Sequence, residues 1–206
     1  TKELLCWTID EALKSQRTSN VIVSCSDETV ISFIRAKYRK EVYVIARKKD
    51  LSDARADLFS VTRDSIKHLP NTVQNPSAVA ILTVENPFRR AEQIDNLFDV
   101  LDIFNADSVI AVRREDQVLM NHSMDGLKLM REFVTVRNER DDVYRKAGGM
   151  QAMRISRIQQ GVSFFDGMTA HYLVDEMTDF DVRSNIKWFM AESFVMATDL
   201  AADIQC

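Results

Sequence analysis

The chain has 206 residues, of which 46% are hydrophobic and 28% are charged, and it contains only 5 Gly and 3 Pro. This length fits about one domain with a sizeable core, and the composition excludes disordered, collagen-like and low-complexity proteins. The 27 Lys and Arg residues are outnumbered by 31 Asp and Glu residues, which gives a net charge of -4. Because nucleic-acid binding proteins usually carry a basic excess, we expect small-molecule substrates and no nucleic-acid partner.

The sequence shows neither a membrane-spanning segment nor a signal peptide. No apolar run approaches the roughly 18 residues that a membrane helix needs, and the first residues lack the basic and apolar regions of a signal peptide. We therefore expect a cytoplasmic protein without a membrane partner.

Three cysteines, Cys6, Cys25 and Cys206, are far apart and form no C-x-x-C pair. We interpret them as reduced thiols, two of them in the core.

Apolar runs rich in β-branched residues recur along the chain and predict its strands. They lie at residues 21–23, 42–45, 78–82 and 109–112, and a further strand is expected over 170–174. The stretches between the first four runs have helical periodicity. Near-continuous apolar strands are typical of a parallel sheet covered by helices on both faces. The sequence thus predicts one domain, residues 1–206, with a three-layer α/β fold and a mostly parallel sheet.

The helices are also indicated by spacing. We expect them over residues 4–13, after a capping Asp27, over 91–104 and over 184–202. In the last helix Trp188 and Glu192 share one face at helical spacing. We expect that face to pack in the core, where Glu192 would need a polar partner.

Between residues 113 and 158 the periodicity decays. The segment mixes the charge clusters RRED and RNERDDVYR with three glycines. We expect an excursion from the main sheet here. Such a segment is usually solvated surface, but in an α/β domain it can also be an arm that meets a second subunit.

The beginning of the sequence is unusual for this fold class. The chain opens on an amphipathic helix, whereas α/β sheets normally begin with a strand and a ligand-binding turn. No Gly occurs before Gly126, so the first half contains neither a P-loop nor a G-x-G-x-x-G turn. We expect that a strand with its turn is missing ahead of this helix.

Candidate metal ligands are few. The histidines His68, His122 and His171 are far apart and give no zinc signature. Acidic residues follow the expected strand at 170–174, namely Asp175, Glu176, Asp179 and Asp181. Carboxylates after a strand can hold Mg²⁺ together with substrate phosphates, but a solvated acidic turn has the same composition.

Basic residues follow two of the predicted strands. Arg47 comes after the second strand and Arg89 after the third, and Arg137 and Arg145 lie further along. Open α/β sheets bind ligands at the carboxyl ends of their strands, where arginine suits phosphate and carboxylate groups. The positions of Arg47 and Arg89 after strands therefore indicate a ligand site more strongly than the presence of arginine does.

Seven stretches occur in one order along the chain, and together they carry a resemblance. They are ELLCWTIDEALKS, VIVSCSDETV, ARKKDLSDARAD, LTVENPFRRAEQID, ADSVIAVRR, RNERDDVYRKAGGM and FFDGMTAHYLVDEMTDFDVRSNIKWFMAE. In this order and spacing they resemble the acylneuraminate cytidylyltransferase family, the CMP-sialic acid synthetases, over almost the whole chain. The resemblance implies a nucleotide-diphospho-sugar transferase-like fold and a homodimer, with the segment 113–158 crossing between subunits.

The resemblance also implies an activity. Enzymes of this family transfer a cytidylyl group from CTP to the anomeric hydroxyl of a nonulosonic acid and release pyrophosphate with Mg²⁺. By resemblance, Arg47 and the backbone of Ala56 would contact the cytidine portion of the nucleotide. Asp181 would be the metal ligand and a catalytic residue, and Arg89 would be the second catalytic residue.

The substrate site follows from the same resemblance. Arg137 and Arg145 would face the sugar acid, and Arg137 would reach the partner subunit's site. Phe164, Phe165 and Tyr172 would wall the sugar pocket.

The sequence departs from the family at two places that bear on activity. The family's initial strand and its Arg/Ser/Lys-rich loop are absent from the sequence, and Arg183 stands where the family has the second Asp of an Asp-x-Asp pair. Two hypotheses follow. The protein is either an active, divergent cytidylyltransferase or a catalytically degenerate homologue that acts as a nucleotide-binding, sugar-binding or assembly subunit.

Overall fold

A computed structural model of the chain describes residues 2–48, 57–69, 76–130 and 142–204. The helices are α1 (Leu4–Lys14), α2 (Glu28–Tyr38), α3 (Leu58–Lys67), α4 (Ala91–Ile103), α5 (Ile155–Gln160), α6 (Glu176–Asp179) and α7 (Asn185–Ile204). The strands are β1 (Val21–Cys25), β2 (Val42–Ala46), β3 (Ala78–Leu82), β4 (Ser108–Arg114), β5 (Met120–Ser123), β6 (Gly126–Leu129), β7 (Tyr144–Arg154) and β8 (Thr169–Leu173).

The strands form a parallel pair, β1 and β2, and a four-stranded sheet in the order β3-β7-β4-β8. β4 and β8 are parallel, whereas β7 runs antiparallel to both of its neighbours. The five strands predicted from apolar runs are confirmed, each within a few residues of its expected bounds. The α/β fold class is therefore confirmed, with an antiparallel strand at the centre of the larger sheet.

The predicted excursion at 113–158 is wrong for its last part. Among the described residues of this segment, the β5–β6 hairpin stays apart as a separate two-stranded sheet, whereas β7 returns to the middle of the main sheet. The sequence hid this strand because Gly148 and Gly149 interrupt its apolar pattern, and Lys146 and Gln151 add polar positions. The apolar residues in the second part of the strand are buried like those of any central strand: Ala147, Met150, Ala152 and Met153.

Helices cover both faces of the sheets. On one face, Leu97 and Leu101 of α4 pack with Val109 and Ala152 of the central strands. The same helix joins a second cluster in which buried residues of α1 and α2 cover β1 and β2. On the other face, Phe164 and residues of α5 pack with α3 and β3. These three clusters give the three layers that the sequence predicts.

Two local predictions about helices have different outcomes. The Asp27 carboxylate accepts hydrogen bonds from the N–H groups of Thr29 (2.8 Å) and Val30 (3.1 Å), so the predicted cap of α2 is confirmed. The predicted core face of α7 is wrong, because Trp188 is 42% exposed and Glu192 is also exposed. The helical spacing is real, but the face is covered only in part, since Ala191 and Val195 are half-buried while Trp188 and Glu192 are exposed.

Two of the three cysteines lie in the described part of the chain. Cys6 is fully buried and Cys25 is half-buried, and both are free thiols, whereas Cys206 lies outside the described residues. Among the helices that the structure describes, none has both the length and the apolar character needed to cross a membrane.

Candidate functional site

The candidate site lies at the carboxyl edge of the larger sheet. β3, β4 and β8 share one direction because β3 and β4 both run antiparallel to β7 and β8 is parallel to β4. Their carboxyl ends and the start of β7 therefore meet at one edge, which is where open α/β sheets bind ligands. The loop after β3 and the segment from 174 to 183 after β8 are brought together there.

Arg89 anchors the loop after β3 from inside the protein. It is only 2% exposed, and its Nη2 donates to the carbonyl oxygens of Thr83 (3.1 Å), Gly148 (3.0 Å) and Gly149 (3.0 Å). Desolvation lowers the pKa of Arg89 to about 10. Among the described residues, no side-chain partner reaches its Nε or Nη1. The contacts of Arg89 are thus with the main chain that shapes the site.

Asn86 ties the loop after β3 to the segment after β8. Its side chain is buried, and its Nδ2 donates to the carbonyl oxygens of Asp179 (3.0 Å) and Phe180 (3.3 Å). Gly149 has a positive φ of +55°, and a Cβ atom there would overlap the side chains of Asn86 and Thr83. A glycine is therefore required for this close approach.

Asp175 begins this segment as a helix cap. Its Oδ1 accepts from the N–H (2.7 Å) and the hydroxyl (2.8 Å) of Thr178, and these bonds hold the pKa of Asp175 below its usual range. The cap fixes the short helix α6 and with it the direction of Asp179. Asp175, one member of the predicted acidic cluster, thus serves as a helix cap.

The Asp179 carboxylate lies beside cationic side chains from two strands. Its side chain is 13% exposed and accepts a hydrogen bond from Gly148 N–H (3.0 Å). Arg145 of β7 donates to it, and Nη1 of Arg113 at the end of β4 lies 3.7 Å from it. The hydrogen bond to Asp179 raises the pKa of Arg145, whose Nε also lies 3.4 Å from Glu115. Two guanidinium groups are therefore held side by side at the edge.

Asp181 holds a second pair of cations. Its Oδ2 accepts from Lys187 Nζ (2.8 Å), and its Oδ1 accepts from the N–H (3.2 Å) and Nε (3.3 Å) of Arg183. The hydrogen bond from Lys187, with those from Arg183, lowers the pKa of Asp181 to about 2. A main-chain bond from Val182 N–H to the carbonyl of Glu85 (2.9 Å) places this group beside the end of β3.

The predicted magnesium site does not fit these contacts. Both oxygens of Asp181 already accept from cations, and a second carboxylate is replaced by Arg183. Mg²⁺ favours carboxylates free to coordinate it, and two neighbouring positive charges oppose its binding. Over residues 2–48, 57–69, 76–130 and 142–204, no group of three metal-ligating side chains is present. The residues at hand therefore do not support Asp181 as a metal ligand.

Arg47 lies at the end of the neighbouring parallel pair. Its Nη2 donates to the carbonyl oxygen of Ser24 (2.6 Å) and its Nε to the Ser24 hydroxyl (3.3 Å). Its guanidinium thus folds back over the end of β1. The other predicted nucleotide contact, Ala56, and the predicted sugar contact Arg137 lie outside the described residues.

The structure does not bring the predicted aromatic wall to this edge. The carbonyl of Phe164 accepts from Ser108 at the amino end of β4, and the Phe164 ring is buried in the core. Phe165 is 74% exposed in the same loop before β8. The Tyr172 hydroxyl accepts from Asn96 of α4 (3.3 Å), on the helical face of the sheet. Phe164 and Phe165 are not placed around Asp181 because their loop enters β8 from the opposite edge, and Tyr172, within β8, turns its side chain toward α4.

Sequence reasoning missed Lys187 and Arg113 as members of the site. Lys187 lies six positions after Asp181 in the first turn of α7, and only the turn between them brings the two charges together. Arg113 is the penultimate residue of β4, and this position alone indicates that it lies at the carboxyl edge. A search for basic residues at every strand end would have found Arg113, whereas Lys187 had no such signal.

Comparison with known proteins identifies a fold. No protein-family model matches the sequence, and no curated protein matches it either. Solved structures do match. The 4-diphosphocytidyl-2C-methyl-D-erythritol synthase from Anaerococcus prevotii aligns with a TM-score of 0.70 at 14% identity, covering 95% of this chain and 86% of that one.

A second similar structure is a synthetase complexed with CTP. CMP:2-keto-3-deoxy-manno-octonic acid synthetase complexed with CTP aligns with a TM-score of 0.62 at 12% identity, covering 93% of this chain and 89% of that one. At these identities the likeness establishes the fold alone. The predicted nucleotide-diphospho-sugar transferase-like α/β fold is therefore confirmed.

Proposed function

We propose that the protein is a cytidylyltransferase that uses CTP to activate a nonulosonic, sialic-acid-like sugar acid as its CMP derivative. The observation that carries this proposal is the set of four cations held by two aspartates at the carboxyl edge: Arg113 and Arg145 on Asp179, and Arg183 and Lys187 on Asp181. The fold similarity to a synthetase complexed with CTP supports the choice of nucleotide.

The chemistry is a displacement at phosphorus. The sugar hydroxyl oxygen forms a bond to the α-phosphorus of CTP, the bond from that phosphorus to the bridging oxygen breaks, and pyrophosphate leaves with the electron pair. The hydroxyl proton passes to solvent. Positive groups placed around the phosphates stabilise the charge that develops on them, and most catalysis of this kind comes from such positioning.

The cations divide between the two substrates in this proposal. Arg183 and Lys187 face the phosphates, since they stand beside the end of β3 and keep exposed nitrogens. Arg145 and Arg113 face the carboxylate of the sugar acid, for which a guanidinium offers paired donors. Arg89 positions the loop and touches neither substrate. No step is assigned to Mg²⁺.

One observation favours a second candidate function. Asp181 is fully engaged by Lys187 and Arg183, so its carboxylate is not free to serve a metal-dependent step. The alternative is a catalytically degenerate homologue that binds a nucleotide or a sugar acid, or serves as an assembly subunit, without transferring a group.

The deciding experiment measures pyrophosphate release by the gene product with CTP and a panel of nonulosonic acids, with added Mg²⁺ and with EDTA. We expect turnover, and we expect Arg183→Met to reduce kcat/KM by about 100-fold because one phosphate-facing cation is removed. Lys128→Met, on the exposed β5–β6 hairpin, is the matched control and should retain full activity.

The outcomes separate the two functions. Turnover that falls in Arg183→Met and in Asp181→Ala supports the cytidylyltransferase. CTP binding by calorimetry with no pyrophosphate from any acid would instead favour the binding subunit. Turnover abolished by EDTA would show that a metal acts through groups outside this cation cluster.

A further inference from the structure

A pocket of about 450 Å³ with a cationic lining lies beside β2. Its charged residues come from the last turn of α2 and the turn that follows: Arg35, Arg39 and Lys40. All three side chains are exposed. Within the described part of the chain, no carboxylate forms an ion pair with any of them. The pocket therefore presents positive charge that the protein itself does not neutralise.

The sequence concentrates positive charge at this place. The stretch RAKYRKE at residues 35–41 contains four basic residues and one acidic residue, whereas the whole chain has a net charge of -4. Lys37 is paired with Glu3 at 3.4 Å, and the acidic residue, Glu41, does not line the pocket. A local field of this sign attracts an acidic partner even to an acidic protein.

The outer edge of β2 offers main-chain groups at the same place. Among the described residues, β2 pairs only with β1. The N–H of Arg47 donates to the carbonyl of Cys25 (2.7 Å), so the odd-numbered residues of β2 face β1. Alternate residues of a strand turn their main-chain groups to opposite edges. Val42, Val44 and Ala46 consequently direct their N–H and carbonyl groups to the outer edge.

The edge strand itself carries no charge. Its sequence, VYVIA, is apolar, whereas many proteins prevent pairing at a sheet edge by placing lysine or proline on the edge strand. Val42, Tyr43 and Val44 line the pocket together with the three cations. The cations are thus placed beside a strand that can still pair, where they favour acidic segments and disfavour basic ones.

These two features together favour an extended peptide over another kind of polyanion. A nucleic acid or a polyphosphate is attracted by cations, but it offers a row of acceptors and no matching row of donors. A strand edge presents N–H and carbonyl groups in alternation, and an extended peptide supplies a partner for both. Addition of such a peptide to an exposed edge is a common mode of recognition between proteins.

We propose that the outer edge of β2 binds an extended acidic segment of a partner protein, which becomes a third strand beside β1 and β2. Main-chain hydrogen bonds to the five-residue strand provide the pairing, and carboxylates of the segment lie against the three cations of the pocket. This binding is separate from the proposed function, since the outer edge of β2 has no part in the cation cluster held by Asp179 and Asp181.

The test is an NMR titration of the protein with a blocked synthetic peptide in which Thr and Glu alternate over about seven residues. Alternation places the carboxylates on one face of the added strand, and α2 packs on one face of β2. With saturating peptide the amides of Val42, Val44 and Ala46 should exchange about 10-fold more slowly. The amides of Tyr43 and Ile45, which face β1, should change far less.

Two altered peptides separate pairing from charge in the wild-type protein. A peptide with Lys in place of Glu should bind at least about 10-fold more weakly, because its charges are repelled by the pocket. A peptide that keeps its Glu residues but carries N-methyl groups on alternate amides loses main-chain donors. It should also bind at least about 10-fold more weakly, since a strand cannot pair without them.

A pair of variants locates the site on the protein. Lys40→Glu should weaken binding of the acidic peptide by about fivefold, because it reverses one charge of the pocket. Lys67→Glu is the matched control. Lys67 is an exposed lysine at the end of α3 that does not line the pocket, so this variant should bind the peptide like the wild type.

The other outcomes overturn the proposal. Equal binding of the plain and N-methylated peptides, or equally tight binding of tripolyphosphate, would show that the pocket holds anions without strand pairing. Slow exchange of Val42, Val44 and Ala46 in the free protein would mean that the edge is already covered. Equal weakening by Lys40→Glu and Lys67→Glu would reduce the effect to overall charge, and no binding of the acidic peptide would remove the site.

Discussion

Arg89 shows how one buried cation can set the shape of a site. Its guanidinium is almost wholly buried and bonds three main-chain carbonyls that belong to two different segments. A carbonyl left unpaired in the interior costs free energy, so the residue organises the loops even though its own burial is unfavourable.

The first prediction concerns this residue. Arg89→Met should lower the free energy of unfolding by about 2 kcal/mol, because three main-chain carbonyls lose their donor while the desolvation cost of the charge is relieved in part. Urea unfolding at neutral pH measures the change. Arg90→Met is the control, since Arg90 is 67% exposed, and its effect should stay within about 0.5 kcal/mol. An equal loss in both variants would contradict the anchoring role.

Asp181 makes the charge balance of the site depend on pH. Its folded-state pKa of about 2 lies below the ordinary value of 3.8, so the folded state favours the carboxylate. The resulting stabilisation is fully present above the ordinary pKa and is lost as the pH falls through about 2. It amounts to about 1 kcal/mol once screening by solvent is included.

The second prediction follows from the direction of this pH dependence. The difference in urea midpoint between the wild type and Asp181→Asn should be constant above about pH 5 and should shrink as the pH falls from about 4 toward 2. Asp125→Asn on the exposed hairpin is the control, and it should leave the midpoint nearly unchanged at every pH. A difference that grows as the pH falls would contradict the assigned pairing of Asp181.

At the scale of elements, β7 carries the site in its irregular part. Its register against β4 shifts between Ile110 and Val112, and Gly148 and Gly149 both have positive φ. A bulge of this kind is often found beside active sites because it redirects side chains. Here it allows Arg145 to reach Asp179 while the rest of the strand stays in the core.

The third prediction tests this irregularity. Gly149→Ala should lower the free energy of unfolding by about 3 kcal/mol, because the added Cβ combines a positive φ with overlap of Asn86 and Thr83. Gly161→Ala is the matched control. That glycine also has a positive φ, +75°, but its nearest neighbour is Arg63 Nη1 at 3.7 Å, so we expect about 1 kcal/mol. Thermal or urea unfolding that ranks the two variants equally would contradict the close approach at Gly149.

The elements differ in how far the sequence predicts them. β3 and β4 are apolar runs bounded by polar residues, so the apolar pattern alone predicts them as strands. β7 is not predictable in this way, because its glycines and its polar residues match a surface loop as well as a central strand. In the site, Asp181 could be placed after the predicted strand at 170–174, whereas Arg145 lies in the unpredicted β7. The pairing of these residues with Lys187 and Asp179 depends on turns that no residue pattern specifies.

At the scale of the molecule, apolar side chains on α7 and on the β5–β6 hairpin are exposed in the described part of the chain. Along α7, Ile186 is 75% exposed and Phe189 is 70% exposed. On the β5–β6 hairpin, Met120, Leu127 and Leu129 lie on one face, since the register pairs Met120 with Leu129 and places Leu127 two residues before it. A two-stranded hairpin is only marginally stable alone and gains from a cover. We propose that a second copy of the chain covers the hairpin, which lies within the segment expected to cross between subunits.

The last prediction follows from that proposal. Sedimentation velocity should detect a homodimer at micromolar concentration, and Leu127→Lys should shift it toward monomer by placing a charge in an apolar contact. Lys128→Glu, on the opposite face of the same strand, should leave the dimer intact. Phe189→Lys separates the two surfaces: if this variant dissociates the dimer and Leu127→Lys does not, then the interface lies on α7. A sedimentation coefficient of a monomer for the wild type at every concentration would remove the dimer altogether.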